Sequence, residues 1–209
     1  MSNSGRVLEI RTAVRDHRKK LSSDEVQEKS SAIRERFAQS HMSRKLFQGL
    51  EVCAYRSLGD EVDLSQILQD LLDQGASLSF PKITDFGQKT LEMVAVNETD
   101  LSAVGWKQNK YGIEEPPGRK VLSPKSIDVI LVPGTAFGIS GERLGRGSGY
   151  YDRYLQKTDR ALRVSFCFDF QVFPALEQEV HDQPIDWILT EKREFLNHRA
   201  KEFRSDLRK

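Results

Sequence analysis

The sequence predicts an α/β fold, a three-layer α/β/α arrangement with helices on both faces of a mostly parallel sheet. Two observations carry this. IDVILVP (127–133) is a continuous apolar run, as strands buried on both faces are, and LRVSFCF (162–168) reads as another buried strand. Segments of this kind also alternate along the chain with segments of helical periodicity, the pattern of crossover-connected strands.

The elements follow in order. Val7, Ile10, Val14 and Leu21 form one helical stripe and predict a helix over 5–21. Ser22 and Glu25 have capping-box spacing and open a second helix through Ile33 and Phe37. EVCAYRS (51–57) reads as a strand. In DLSQILQDLLDQG (63–75), Leu64, Ile67, Leu68, Leu71 and Leu72 share a helical face, and Gly75 supplies the stop. SLSFPKI and LEMVAV are strand candidates. The segment from 97 to 122 reads as loop, broken by Pro116-Pro117-Gly118. GYYDRYLQK reads as a helix, and IDWILT as the last strand. The charged C-terminal segment from about 192 reads as helical or frayed, attached to a single domain spanning 1–209.

Composition narrows the function. Lys and Arg total 32 against 31 Asp and Glu, a net charge of +1, so no global field favours nucleic acid. The N-terminus lacks a signal-peptide run and no stretch is long enough to span a bilayer, so a cytoplasmic location is the default expectation. Cys53 and Cys167 both lie in strand-like apolar runs and read as reduced, buried and inert.

The stretch GERLGRGSGYYDRYL (141–155) is different. It follows a buried strand and precedes a helix, where open α/β sheets bind ligands. Gly145, Gly147 and Gly149 allow close backbone approach or positive φ. Consecutive N–H groups at a helix start make an anion-binding concavity. Arg143 and Arg146 add charge suited to phosphate. Asp152, in the first turn of the helix, is placed to hold Mg²⁺ bridging phosphate oxygens. The competing reading is a glycine-rich turn capped by Asp152, with Tyr150 and Tyr151 as core. No Gly-Lys-Ser/Thr occurs there, and the glycine spacing is not that of a dinucleotide fingerprint.

LVPGTAFGISGERLGRGSGYYDRYL resembles the signature of the 5-formyltetrahydrofolate cyclo-ligase (methenyltetrahydrofolate synthetase) family. YRSLGDEVDLSQIL, KYGIEEP and FDFQVFPALEQEVHDQPIDWILTE resemble other blocks of the same family, and the likeness runs to about Glu191. It implies an ATP- and Mg²⁺-dependent ligase. The enzyme would phosphorylate the formyl oxygen of 5-formyltetrahydrofolate and let N10 close the ring to 5,10-methenyltetrahydrofolate. The resemblance implies residue roles as well. Arg143, Leu144, Gly145, Arg146, Gly147, Ser148, Gly149, Tyr150 and Tyr151 would wrap the ATP phosphates, with Arg146 nearest the developing charge. Arg146 to Tyr150 would also face the folate, together with Arg56 and Glu61. Asp152 and Asp182 would hold Mg²⁺. Arg11 and Arg15, in a column with Arg18 on the first helix, would supply a nucleotide-contacting basic pair. His181 reads as structural.

Three positions depart from the family pattern: Val7 where a basic residue is expected, Gly138 where Asp is common, and Ser148 where Lys or Gly is usual. The partners implied are reduced folate and ATP, without nucleic acid or membrane, on a monomer or homodimer. A paralogue that binds folate or nucleotide as a regulator, or that phosphorylates another substrate, is the alternative.

Overall fold

The structure is a computed structural model and describes residues 3–40, 47–178 and 182–206. Its helices are α1 (Asn3–Arg18), α2 (Ser23–Gln39), α3 (Ser65–Asp73), α4 (Tyr150–Leu155) and α5 (His198–Asp206). The strands are β1 (Glu51–Cys53), β2 (Ser77–Asp85), β3 (Thr90–Val96), β4 (Lys107–Gln108), β5 (Glu114–Glu115), β6 (Val129–Leu131), β7 (Ala136–Gly138), β8 (Arg143–Leu144), β9 (Leu162–Phe166), β10 (Val172–Phe173), β11 (Trp187–Leu189) and β12 (Glu194–Leu196).

Seven strands form the main sheet in the order β12-β11-β9-β6-β1-β2-β3. The five central strands are parallel and the two edge pairs, β11 with β12 and β2 with β3, are antiparallel. Alternate side chains enter opposite layers, as the two-residue period of a strand requires. Val52, Val129, Leu131, Trp187 and Leu189 face α2 and α3. Cys53, Ile130 and Ile188 face Tyr154 and Leu155 of α4. Covering both faces explains why these strands read as unbroken apolar runs.

The local signals in the helices act as their chemistry dictates. Ser22 Oγ accepts from Glu25 N (3.2 Å) and Glu25 Oε2 accepts from Ser22 N (2.8 Å), closing the capping box that opens α2. Gly75, at φ 88°, ends α3 and donates to the Leu72 carbonyl. The stripe of α1 packs on a separate three-stranded sheet (β10-β7-β8), through Val14 against Ala136, Leu144 and Leu176.

Two expectations are corrected. IDWILT is not the last strand: β12, inside the charged C-terminal segment, pairs with β11, and α5 follows with Ala200 fully buried. Asn197 anchors this end by donating from Nδ2 to Asp186 Oδ1 (2.9 Å), and Arg199 donates to the Asp159 carbonyl (2.8 Å). The region read as loop also contains structure, the small β4–β5 hairpin.

Both thiols are buried. Burial pushes Cys53 up to about 12, partly offset by Ser79 at 3.1 Å, and pushes Cys167 well above its ordinary value. The thiolate is the reactive form. Neither cysteine is therefore expected to react with a disulfide reagent at pH 8 in the native state, and both are expected to react in denaturant. Fast labelling of the folded protein would contradict this burial.

Candidate active site

The chain leaves β1 for β2 on one side and leaves β6 for β9 on the other, so the connections from the adjacent strands β1 and β6 diverge. Open α/β sheets bind ligands in the crevice outside the carboxyl ends of such strands. A cavity with about 860 Å³ of empty space, mouth included, lies there. Tyr55 and Arg56 follow β1 into it, and Pro133 and Gly134 follow β6. Its apolar wall includes Leu58, Pro81, Ile83, Leu91 and Ile113. Its mix of apolar wall with a few polar groups is that of a small-molecule site.

The glycine loop forms the opposite wall. Gly145, Arg146, Ser148, Gly149, Tyr150, Tyr151 and Asp152 all line the cavity, with Arg143 beneath them. Gly147 (φ 94°) and Gly149 (φ 73°) occupy the left-handed region that glycine enters at no steric cost. Gly149 is the residue immediately before α4, so the loop runs directly into the helix start. Leu144 is buried under the loop against Val14 and does not line the cavity.

Charges meet in pairs. Arg146 donates to Glu61 Oε1 at 2.5 Å. Glu61 Oε2 accepts from Leu58 N (3.0 Å). Arg143, nearly fully buried, donates to Asp152 and to the Pro133 carbonyl (3.1 Å). Arg56 is paired with Glu114 (2.8 Å) and stacks on Trp106, 5.0 Å from the ring centroid. The hydroxyls of Tyr150 and Tyr151 are buried; that of Tyr151 makes no hydrogen bond among the described residues, and that of Tyr150 lies beside Tyr111. Burial raises the pKa of Tyr151, so its hydroxyl is a proton donor throughout the physiological range.

The column on α1 divides. Arg11 Nε donates to the Gly145 carbonyl (2.9 Å), which fastens α1 to the glycine loop. Arg15 does not reach the cavity: it is exposed, with Asp16 3.8 Å away. Arg18 is the residue missed as a site member. It is buried, donates from Nε to the Asp60 carbonyl (3.0 Å), pairs with the Asp60 carboxylate, and lies 3.6 Å from Glu61. The spacing itself held the signal. At 100° per residue Arg18 lies about 40° from the buried Val14, and Arg15 about 100°.

Also missed were Asn109, Ile113 and Glu115 of the β4–β5 hairpin. Glu115 Oε1 accepts from Asn109 Nδ2 (2.7 Å) and from Ile83 N (3.0 Å), which ties the hairpin to β2 as a side wall. Only the general resemblance of KYGIEEP pointed toward this segment.

The two carboxylates expected to hold Mg²⁺ do not both line the cavity. Among the described residues the carboxylates lining the cavity are Glu61, Glu115 and Asp152; Asp182 is half-buried and is not one of them. No cluster of three metal-ligating side chains occurs among the described residues. Asp152 alone still suits Mg²⁺, which commonly takes one or two carboxylates and completes its shell with substrate phosphates and water. His181 lies outside the described residues. Gly138 has a structural consequence: a Cβ there would lie 2.0 Å from Glu142 Oε2, so the Glu142 side chain occupies the space a larger residue would need.

Residues 3–191 match the model of the 5-formyltetrahydrofolate cyclo-ligase family. The 5-formyltetrahydrofolate cyclo-ligase of Mycolicibacterium smegmatis is 30% identical over 199 residues, covering 88% of this chain and 93% of the relative. The mouse 5-formyltetrahydrofolate cyclo-ligase is 30% identical over 149 residues, covering 67% and 72%. The solved structure of 5,10-methenyltetrahydrofolate synthetase from Aquifex aeolicus superposes with a TM-score of 0.75 at 29% identity, covering 91% of this chain and 92% of that one. The cavity where the connections from β1 and β6 diverge, the glycine loop across it and these matches lead to one assignment: this chain is a member of the 5-formyltetrahydrofolate cyclo-ligase enzyme family.

Proposed function

We propose that the protein converts 5-formyltetrahydrofolate to 5,10-methenyltetrahydrofolate with ATP, in the cavity between Glu61 and the glycine loop. The observation that supports this most is the joining of the two half-sites. Glu61, suited to accept paired N–H donors from a pterin edge, and Arg146, suited to grip phosphate, are within one hydrogen bond of each other.

A formamide oxygen is a poor leaving group. Transfer of the γ-phosphoryl group of ATP to that oxygen releases ADP and makes the formyl carbon electrophilic. N10 then attacks the carbon and loses its proton, and inorganic phosphate leaves. The protein's part is alignment and charge neutralisation, as in other phosphoryl transfers. The loop amides from Gly145 to Gly149, with Arg143, Arg146 and Arg11, hold the phosphates. The apolar wall of Leu58, Ile83, Leu91 and Ile113 packs on the ring system, and Arg56 stands beside it. The Tyr150 and Tyr151 hydroxyls supply neutral donors. Asp152 would hold Mg²⁺, which would supply charge to the phosphate oxygens when bound.

The test is direct. Purified protein, Mg-ATP and 5-formyltetrahydrofolate are mixed, and the methenyl product is followed by its near-ultraviolet absorbance. Product is expected only with ATP, at one ADP per methenyl group formed. Folate binding without turnover would favour a regulator, and ADP release without methenyl product would favour another acceptor; either outcome overturns the proposal.

A further inference from the structure

We infer that Arg146 couples the two substrates: held by Glu61 in the empty protein, it is released by the incoming pterin and passes to the nucleotide phosphates, so each ligand tightens the other. This rests on the assignments of Glu61 and the glycine loop made above.

The geometry sets the two uses of Glu61 in competition. The carboxylate is nearly buried, with Oε2 occupied by Leu58 N and Oε1 by Arg146. Each oxygen of an ionised carboxylate can accept two hydrogen bonds, but a ligand's donor pair must come to Glu61 from the cavity, the side that the Arg146 side chain also lines. The pterin edge and the Arg146 guanidinium therefore compete for Oε1.

Glu61 does not lose all its positive company when Arg146 leaves. Arg18 sits 3.6 Å away and is fixed in place by the backbone carbonyl and the carboxylate of Asp60. Arg18 is thus the permanent counter-charge and Arg146 the removable one. Arg146 is also built to move: its side chain is 47% exposed, and it stands between Gly145 and Gly147 in the loop. Arg143 is unsuited to such a role, being nearly buried and tied to both Pro133 and Asp152.

In the empty protein the arginine best placed for phosphate is thus spent on Glu61. Folate entry sets it free, and ATP entry, by drawing it away, uncovers Glu61. Linkage makes the two effects equal. An entering nucleotide alone must break the Arg146–Glu61 pair, and so must an entering folate alone; with both present that cost falls once.

The experiment is titration calorimetry with 5-formyltetrahydrofolate and the Mg²⁺ complex of a non-hydrolysable ATP analogue, each in the absence and presence of the other. In the native protein each ligand is expected to lower the other's Kd by on the order of tenfold. Arg146→Gln is expected to bind folate several-fold more tightly than the native protein when no nucleotide is present, because Glu61 is already uncovered, and its coupling falls toward one. Arg146→Lys, which keeps the charge, retains part of the coupling. A simple attractive role for Arg146 toward an anionic folate predicts the opposite sign. Weaker folate binding by Arg146→Gln without nucleotide, or undiminished coupling, overturns the inference. A native protein that binds neither ligand overturns the proposed function itself, and this inference with it.

Discussion

Asp152→Asn is expected to lower turnover by about 10²-fold or more, the usual scale for removing one preorganised charge partner from a phosphoryl- or acyl-transfer site. The substitution keeps the shape of the side chain and removes its charge. Two consequences follow from the site. The cavity loses the lining carboxylate that is proposed to hold Mg²⁺. Arg143, nearly buried, keeps the Pro133 carbonyl but loses its anionic partner. Removing one partner of a buried pair destabilises a protein because the other charge is left uncompensated. Asp152 is itself about one-third exposed, so solvent limits that part of the effect. Turnover measured across a Mg²⁺ titration is the check. The variant should need more Mg²⁺ than the native protein and stay slower at saturation. Native turnover at limiting Mg²⁺ would remove Asp152 from the metal site.

Phe37→Ala is expected to destabilise the fold by about 3–5 kcal/mol, the range for truncating a buried aromatic residue. Phe37 lies on α2 where that helix meets the sheet, and it is 2% exposed. Its ring centroid is 5.7 Å from Phe47, 5.4 Å from Phe166 and 5.7 Å from Trp187. Truncation leaves a void among three rigid rings that cannot collapse to fill it. Since whole proteins are stable by only about 5–15 kcal/mol, the loss is large. Urea unfolding measures it, and a loss below about 1 kcal/mol would mean that the cluster repacks more freely than dense cores do.

Much of the fold was legible because its signals are local. A stripe of apolar residues at helical spacing, a Ser-x-x-Glu cap, a terminal glycine and an unbroken apolar run each depend on a few neighbouring residues, and α2, α3, β6 and β9 stand where such signals place them. The misses share a cause. β4 and β5 are two residues each and read Lys-Gln and Glu-Glu, with no alternation to detect. They pair because Asn109 and Ile83 both reach Glu115. β12 sits in a charged run and exists because β11 offers it an open edge.

The site divides in the same way. The glycine loop announces itself, since bare backbone beside two arginines and a helix start has few structural uses. Glu61 and Arg56 look like ordinary loop charges on their own, and only the family resemblance singled them out. Of Arg15 and Arg18, the one nearer the buried Val14 around the helix, Arg18, enters the interior and meets the Asp60–Glu61 loop, while Arg15 remains outside.

Residue order alone therefore determined the α/β class, the main helices and buried strands, and the place of a glycine-rich bend between β6 and α4, all of them products of periodicity and backbone freedom. Tertiary structure alone decided which carboxylate faces which arginine. Those pairings join residues far apart in the chain, such as Glu61 and Arg146, 85 positions apart, and a charge carries no local mark of the distant partner that chain crossings bring to it.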